Sequence, residues 1–214
     1  MEEVNKYAGK NYIKNIAFFG DADISEADET YKHAFDVAEI IAQAGYVTVD
    51  GGGPGVMQAA TSGAQKGGGK VITVTFDPVN APGFEGKYVK NVPDQEVITT
   101  NYIERMFKLM EHGDVFIIFK GGSGTISEFG TAWVLAKLYF GHHKPFILFG
   151  NFWAEIIDVL RKNMNIDAKE LGVFEIVRTK EEVLPAIKRL EKKITDRDHS
   201  GDSKNDQNDK AFTK

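Results

Sequence analysis

VTVDGGGPGVMQAA at residues 47–60 and VFIIFKGGSGTISEF at residues 115–129 share one design: a short apolar run, a cluster of glycines, then a helix-length segment. The apolar runs are too short for helices and apolar on both faces, the pattern of strands buried in a parallel sheet. Comparable runs occupy 16–20, 71–76 and 146–149, beside those at 46–50 and 115–119. Between them lie helix-length segments at 27–44, 55–66, 101–112, 123–140 and 152–163, with Gly45, Gly113 and Gly141 as stops, and a last helix is expected over 180–190. Ala34, Val37, Ala38 and Ile41 form one apolar stripe on the first helix. Strand–helix alternation of this kind predicts right-handed crossovers and a single α/β domain with a doubly wound, mainly parallel sheet and helices on both faces. Ligands of such sheets bind beyond the carboxyl ends of the strands, so the functional residues should follow the strands.

The composition supports a globular chain and removes several chemistries. Of 214 residues, 42% are apolar and 27% charged, and the formal charge is −5, which argues against a generic basic surface for nucleic acid or anionic lipid. Any anion must be held locally. The absence of cysteine excludes disulfides, thiolate metal sites and cysteine nucleophiles. The five histidines make a weak metal case, since His33 and His112 fall in separate helices and His142–His143 sit at a turn, so no metal site is expected. No apolar stretch approaches the ~20 residues of a spanning helix, and the polar start shows no leader; the expectation is a soluble, cytoplasmic protein with no membrane partner. Residues 1–14 read as an extension, 15–194 as the domain, and 195–214, with nine charges and only Ala211 and Phe212 apolar, as a disordered tail.

Ten of the 22 glycines fall in three clusters. In the first, Gly51, Gly52, Gly53, Pro54 and Gly55 lead straight into a helix, so backbone N–H groups and the helix N-terminus can face an anion. The second repeats the logic with Gly121, Gly122, Ser123, Gly124 and Thr125, adding hydroxyls to the donors. The structural alternative for each is a tight strand-to-helix turn with no ligand. Neither loop has the GxGxxG spacing of dinucleotide sites. Gly68, Gly69 and Lys70 fail the P-loop pattern, because Ala64 and Val71 stand at required Gly and Ser/Thr positions, and they read instead as the turn before the third strand.

GGGPGVMQAA, Arg105 ten residues before the strand VFIIF, and KGGSGTISEF together resemble the LOG-like (Lonely Guy) phosphoribohydrolases, with their GGGxxGxM and PGGxGTxxE motifs, over roughly 15–190. Relatives are often described as lysine decarboxylases, but no lysine here sits in a recognisable pyridoxal-phosphate site. The resemblance implies a Rossmann-like homodimer without a cofactor. It would hydrolyse the N-glycosidic bond of a small nucleoside 5′-monophosphate of adenine or cytokinin type. Arg105 and Glu128 match the family's catalytic positions, and the two glycine loops, with Met57, its nucleotide-binding ones. Glu128 would stabilise the positive charge that builds on the ribose ring and orient water; in isolation it also reads as a helix-start carboxylate. Arg105 suits bidentate contact with phosphate or a hydrogen bond to the departing base.

The chain departs from that pattern in four places. After the first strand, Gly20 leads to Asp21, Ala22 and Asp23 where the family has Gly-Ser and a small residue. These acids could bind ribose hydroxyls, hold a cation, or point away as helix-start carboxylates, the favoured arrangement. Lys120 replaces a proline and could add positive charge at the phosphate; Met106 replaces a lysine and Gln58 a glutamate. A second class of function stays open on the same scaffold: binding or carrying a nucleotide or a molybdenum-cofactor-like ligand without hydrolysis, which Asp21 and Asp23 favour. Trp133, Tyr139 and Phe140 give weak support to a dimer surface and otherwise read as core.

Overall fold

A computed structural model describes residues 13–77, 86–138 and 144–198, with side chains through Ile194. Seven strands and six helices alternate along it. In order they are β1 (Asn15–Phe19), α1 (Glu29–Gln43), β2 (Val47–Asp50), α2 (Val56–Lys66), β3 (Val71–Phe76), β4 (Gln95–Thr99), α3 (Tyr102–His112), β5 (Val115–Ile118), α4 (Ser123–Leu138), β6 (Phe146–Phe149), α5 (Phe152–Asn163), a short 3-10 turn, β7 (Phe174–Val177) and α6 (Lys180–Asp198). All strands are parallel in one sheet of order β4-β3-β2-β1-β5-β6-β7. The chain thus winds outward from β1 to β4, crosses back, and continues from β5 on the other side of β1. This makes the doubly wound, Rossmann-like fold, with its switch of direction between β1 and β5.

Period-two side-chain alternation feeds two cores. Ile16 and Phe18 of β1 with Ile117 of β5 face α1, α2 and α6, where Ala34, Val37, Ile41, Ala60 and Ile187 are buried. Ala17 and Phe19 with Phe116 and Ile118 face the other way, toward Leu109 of α3, Phe129 and Trp133 of α4 and Trp153 of α5. Small alanines on α1 and α2 let those helices lie close together, and Gly63 of α2 is seated against the Phe35 carbonyl of α1.

The expected central strands and the helices are present, with three differences. The edge strands β4 and β7 have no counterpart in the sequence reading. β4 is QEVIT with only Thr99 buried, and β7 turns Glu175 outward to Arg189 and Lys193, so neither carries the unbroken apolar run of a central strand. Helix α1 starts at Glu29, later than expected, because the Asp28 side chain caps it by accepting the Thr30 N–H at 2.7 Å. Helix α6 runs through Asp198, beyond the expected end at 190 and into the segment read as tail. The remainder of that tail, the extension through 12, and Tyr139, Phe140, Gly141, His142 and His143 lie outside the described residues. Trp133 is core: it is buried among Phe129, Phe146 and Phe174 and donates its ring N–H to the Glu170 carbonyl, so it offers no dimer surface.

Candidate functional site

A cleft of about 500 Å³ opens at the carboxyl ends of β1, β2 and β5, astride the switch between β1 and β5. One segment after each of these strands lines it: Gly20 to Asp23 after β1, Gly51 and Met57 after β2, and Gly122 to Thr125 with Glu128 after β5. Phe76 at the end of β3 and Tyr102 and Arg105 of α3 complete the wall.

The second glycine loop presents a helix N-terminus to this space. Gly122 immediately precedes α4, and the first-turn N–H groups of a helix have no partner within it. A Cβ at Gly122 would meet no protein atom within 4 Å, and one at Gly124 would only touch the Tyr102 hydroxyl, so the chain is bare where it faces the cleft. Gly121 has another duty. It is pressed between the Thr125 hydroxyl and the Asp21 N–H, and it does not line the cleft. Lys120 is also turned from the cleft: its side chain is exposed, and its carbonyl accepts the Asp21 N–H at 3.1 Å. Its charge adds to the pull of the Thr30 N–H that holds Asp28 below the usual carboxylate range.

The first glycine loop is built differently from the expectation. Of Gly51, Gly52, Gly53 and Gly55, only Gly51 lines the cleft. Gly52, at φ +71°, gives its N–H to Asp50 Oδ1 at 2.7 Å, and its carbonyl accepts the Tyr88 N–H. The Gly53 carbonyl accepts from the Asn91 side chain at 2.7 Å. Gly55, at φ +64°, packs directly on the Asp21 carbonyl, which also takes the Val56 N–H at 2.8 Å. The start of α2 is thus partly stoppered by backbone, and the N–H groups of Gly52 and Val56 are taken by protein acceptors. The run Gly67 to Lys70 forms the turn into β3, as read from the sequence.

Glu128 lies one helical turn beyond Thr125 and is buried at the cleft wall. Arg105 is only 3% exposed. Its Nε donates to the Val74 carbonyl at 3.0 Å and its Nη2 to the Gly51 carbonyl at 3.0 Å, with Met57 Sδ 3.2 Å away. The Nε–Nη2 edge of the fork therefore points into the protein and is not the edge that would meet the phosphate or the departing base expected as its partner; the guanidinium sets a fixed positive charge in the cleft wall. Asp21 and Asp23 line the cleft mouth, Asp21 Oδ1 accepting the Asp23 N–H, and the helix-start role expected for them belongs to Asp28. Gln58 ties α2 to Glu26 and stays off the lining.

Three contributors escaped the sequence reading. Phe76 and Tyr102 meet edge to face, centroids 6.3 Å apart, and form an aromatic wall. Their positions at the last residue of a strand and the first residue of a helix were the available signal. Asp50, the last residue of β2, is fully buried beneath the first loop. Burial pushes its carboxyl up to about 6, against the opposing donation from Thr61 and Gly52 and the charge of Arg105. Among the described residues no three His, Cys, Asp or Glu side chains are grouped to hold a metal, and no helix is long and apolar enough to cross a membrane.

A model of the SLOG cluster4 family matches residues 13–170. An uncharacterized protein of Archaeoglobus fulgidus is 31% identical over 120 residues, 56% of this chain and 74% of that protein. Among solved structures, the molybdenum cofactor binding protein of Rippkaea orientalis superposes with a TM-score of 0.63 at 23% identity, covering 83% of this chain and 97% of that one. The Moco carrier protein of Chlamydomonas gives 0.58 at 23%, with the same coverage. DNA processing protein A of Streptococcus pneumoniae gives 0.52 at 15%, covering 81% and 61%. At these identities the structural likeness is one of fold.

Proposed function

This chain belongs to the SLOG cluster4 family, and from that premise we propose that its cleft binds a nucleoside 5′-monophosphate and hydrolyses the N-glycosidic bond. The observation that carries the reading is the pairing, on one rigid helix, of a bare N-terminus at Gly122 to Thr125 with the buried carboxylate of Glu128 one turn on. The 5′-phosphate would sit on the helix N-terminus. The ribose would then lie beside Glu128. As the C1′–N bond breaks, its electron pair leaves with the base and positive charge builds on the ribose, which the carboxylate stabilises. Water adds to C1′ and gives up a proton to Glu128; the departing base takes up a proton from solvent, and Glu128 then releases its own to solvent, so that free base and ribose 5-phosphate are the products and the carboxylate is restored. Phe76 and Tyr102 suit an adenine-type base, which stacks on aromatic faces. Arg105 supplies positive charge to the wall against which the leaving group and phosphate are held.

The ligand class is a small nucleotide, with no nucleic acid, no membrane and no cofactor involved, in a cytoplasmic protein. The charge of −5 and the two acids at the cleft mouth disfavour a polyanion. A homodimer would use the α3–α4 face, where Ile103, Phe107, Ile126, Val134 and Leu138 are exposed.

The second reading is a carrier that binds a nucleotide-like ligand without cleaving it. It is favoured by the two fold neighbours named for the molybdenum cofactor and by Asp21 and Asp23, whose charge disfavours a phosphate close to the mouth. Incubating the full chain with a panel of nucleoside 5′-monophosphates and separating the products decides between them. Free base and ribose 5-phosphate are expected; a raised melting temperature with no free base would establish the carrier.

A further inference from the structure

One amide of the first glycine loop is held at both ends by buried charges. The carbonyl of the Gly51–Gly52 peptide accepts from Arg105 Nη2 at 3.0 Å, and its N–H is donated to Asp50 Oδ1 at 2.7 Å. Asp50 and Arg105 are therefore an ion pair joined through a peptide group, each polarising the amide in the sense that strengthens the other bond. The remaining bonds fix both partners. Asp50 Oδ2 accepts the Thr61 hydroxyl of α2 at 2.7 Å, and Arg105 Nε donates to Val74 of β3.

A neutral amide would still accept from the Gly52 N–H and would meet the Thr61 hydroxyl with its NH2 group, the hydroxyl then accepting. A carboxylate in this place is costly, since it is 0% exposed. What the charge adds is a field that holds the guanidinium and sets the peptide with its carbonyl toward Arg105. The Thr61 hydroxyl from α2 and the Arg105 charge from α3 act on Asp50, and Thr73, its register partner in β3, is neutral.

We propose that Asp50 is a positioning residue: acting through the Gly51–Gly52 peptide, its charge fixes the Arg105 guanidinium against Met57 in the wall of the ligand cleft. Its bearing on catalysis rests on the reading that Arg105 acts on the bound nucleotide, whereas its hold on Arg105 does not.

The test follows the Arg105 Nε–H and Gly52 amide resonances by NMR on the full chain from pH 5 to 8, in the wild type, Asp50→Asn and Thr61→Val. In the wild type both resonances should move together on one titration with a midpoint of about 6. In Asp50→Asn they should be flat and displaced. Thr61→Val keeps the charge, removes one stabilising donor and should raise the midpoint, so it serves if Asp50→Asn does not fold. In parallel, calorimetry with adenosine 5′-monophosphate at pH 7.5 should show roughly tenfold weaker binding by Asp50→Asn, with no fall in melting temperature. An Arg105 resonance that ignores both pH and Asp50→Asn overturns the proposal. So does a melting temperature that drops while that resonance stays in place, since Asp50 would then be merely structural. If the wild type fails to bind the nucleotide but the resonances titrate together, the functional reading falls and the positioning role stands.

Discussion

Asp50 spends stability to keep a charge where burial penalises it. Its carboxyl is raised from 3.8 to about 6, mainly by burial, with Thr61, Gly52 and Arg105 opposing. Between those two pH values the folded chain holds a proton that the unfolded chain has released, so stability falls as pH rises through that window and is level above it. Asn at this position keeps an acceptor and discards the charge. The Arg105 guanidinium, though less firmly placed, would keep the Val74 and Gly51 carbonyls as acceptors, so the usual penalty for orphaning a buried partner is reduced here. Asp50→Asn is therefore expected to be more stable than the wild type at pH 8, by up to roughly 3 kcal/mol, with the gap closing below pH 4. Urea unfolding at the two pH values checks this; a variant less stable at pH 8 would mean that attraction to Arg105 outweighs burial. Arg105 and Glu128 stood out in the sequence through the resemblance to the LOG-like motifs, and the structure brings both to the cleft wall. It hid Asp50, since an acid before a glycine turn looks like a turn residue, and only the sheet shows that it is enclosed.

At the scale of the loops, two glycines with similar surroundings in sequence do opposite work. A side chain at Gly122 projects into the cleft and meets no protein atom, so Gly122→Val should cost at most about 1 kcal/mol at the helix start while weakening nucleotide binding measured by calorimetry. Gly55 has φ +64° and packs on the Asp21 carbonyl. Gly55→Ala should therefore destabilise by about 1–3 kcal/mol, read as a lower melting temperature with or without ligand. Unaltered affinity in Gly122→Val would count against the helix N-terminus as the anion site. Both loops are visible in the sequence as strand, glycines, helix. Which of their N–H groups remain for a ligand is not, because only the folded chain shows the Asp50 side chain turned onto the Gly52 N–H and the Asp21 carbonyl, from the loop after β1, taking the Val56 N–H. The aromatic pair Phe76 and Tyr102 escaped for the same reason: 26 positions separate them in the chain, and the sheet alone brings them together.

The whole molecule places its cleft by topology. Winding outward from β1 to β4 and restarting at β5 separates the loops after β1 and β5, so a ligand can enter between them. The central strands announced this arrangement through their apolar runs, whereas β4 and β7, with one open edge each, carry too little buried surface to be read. The α3–α4 face borders the same cleft, Ile103 next to Tyr102 and Ile126 next to Thr125. If two copies pair there, light scattering should give twice the chain mass of 23.7 kDa, and Val134→Glu should give the monomer with its fold retained; a wild-type monomer would remove the dimer from the account. The claim on which the rest depends is that Glu128 serves bond cleavage and not binding. The direct measurement is adenine released from adenosine 5′-monophosphate by the wild type and by Glu128→Gln, with nucleotide affinity determined for both. The account predicts release by the wild type, a loss of about a hundredfold or more in the variant, and affinities within a few-fold of each other. Equal rates in the two proteins, or no release by either, would contradict it.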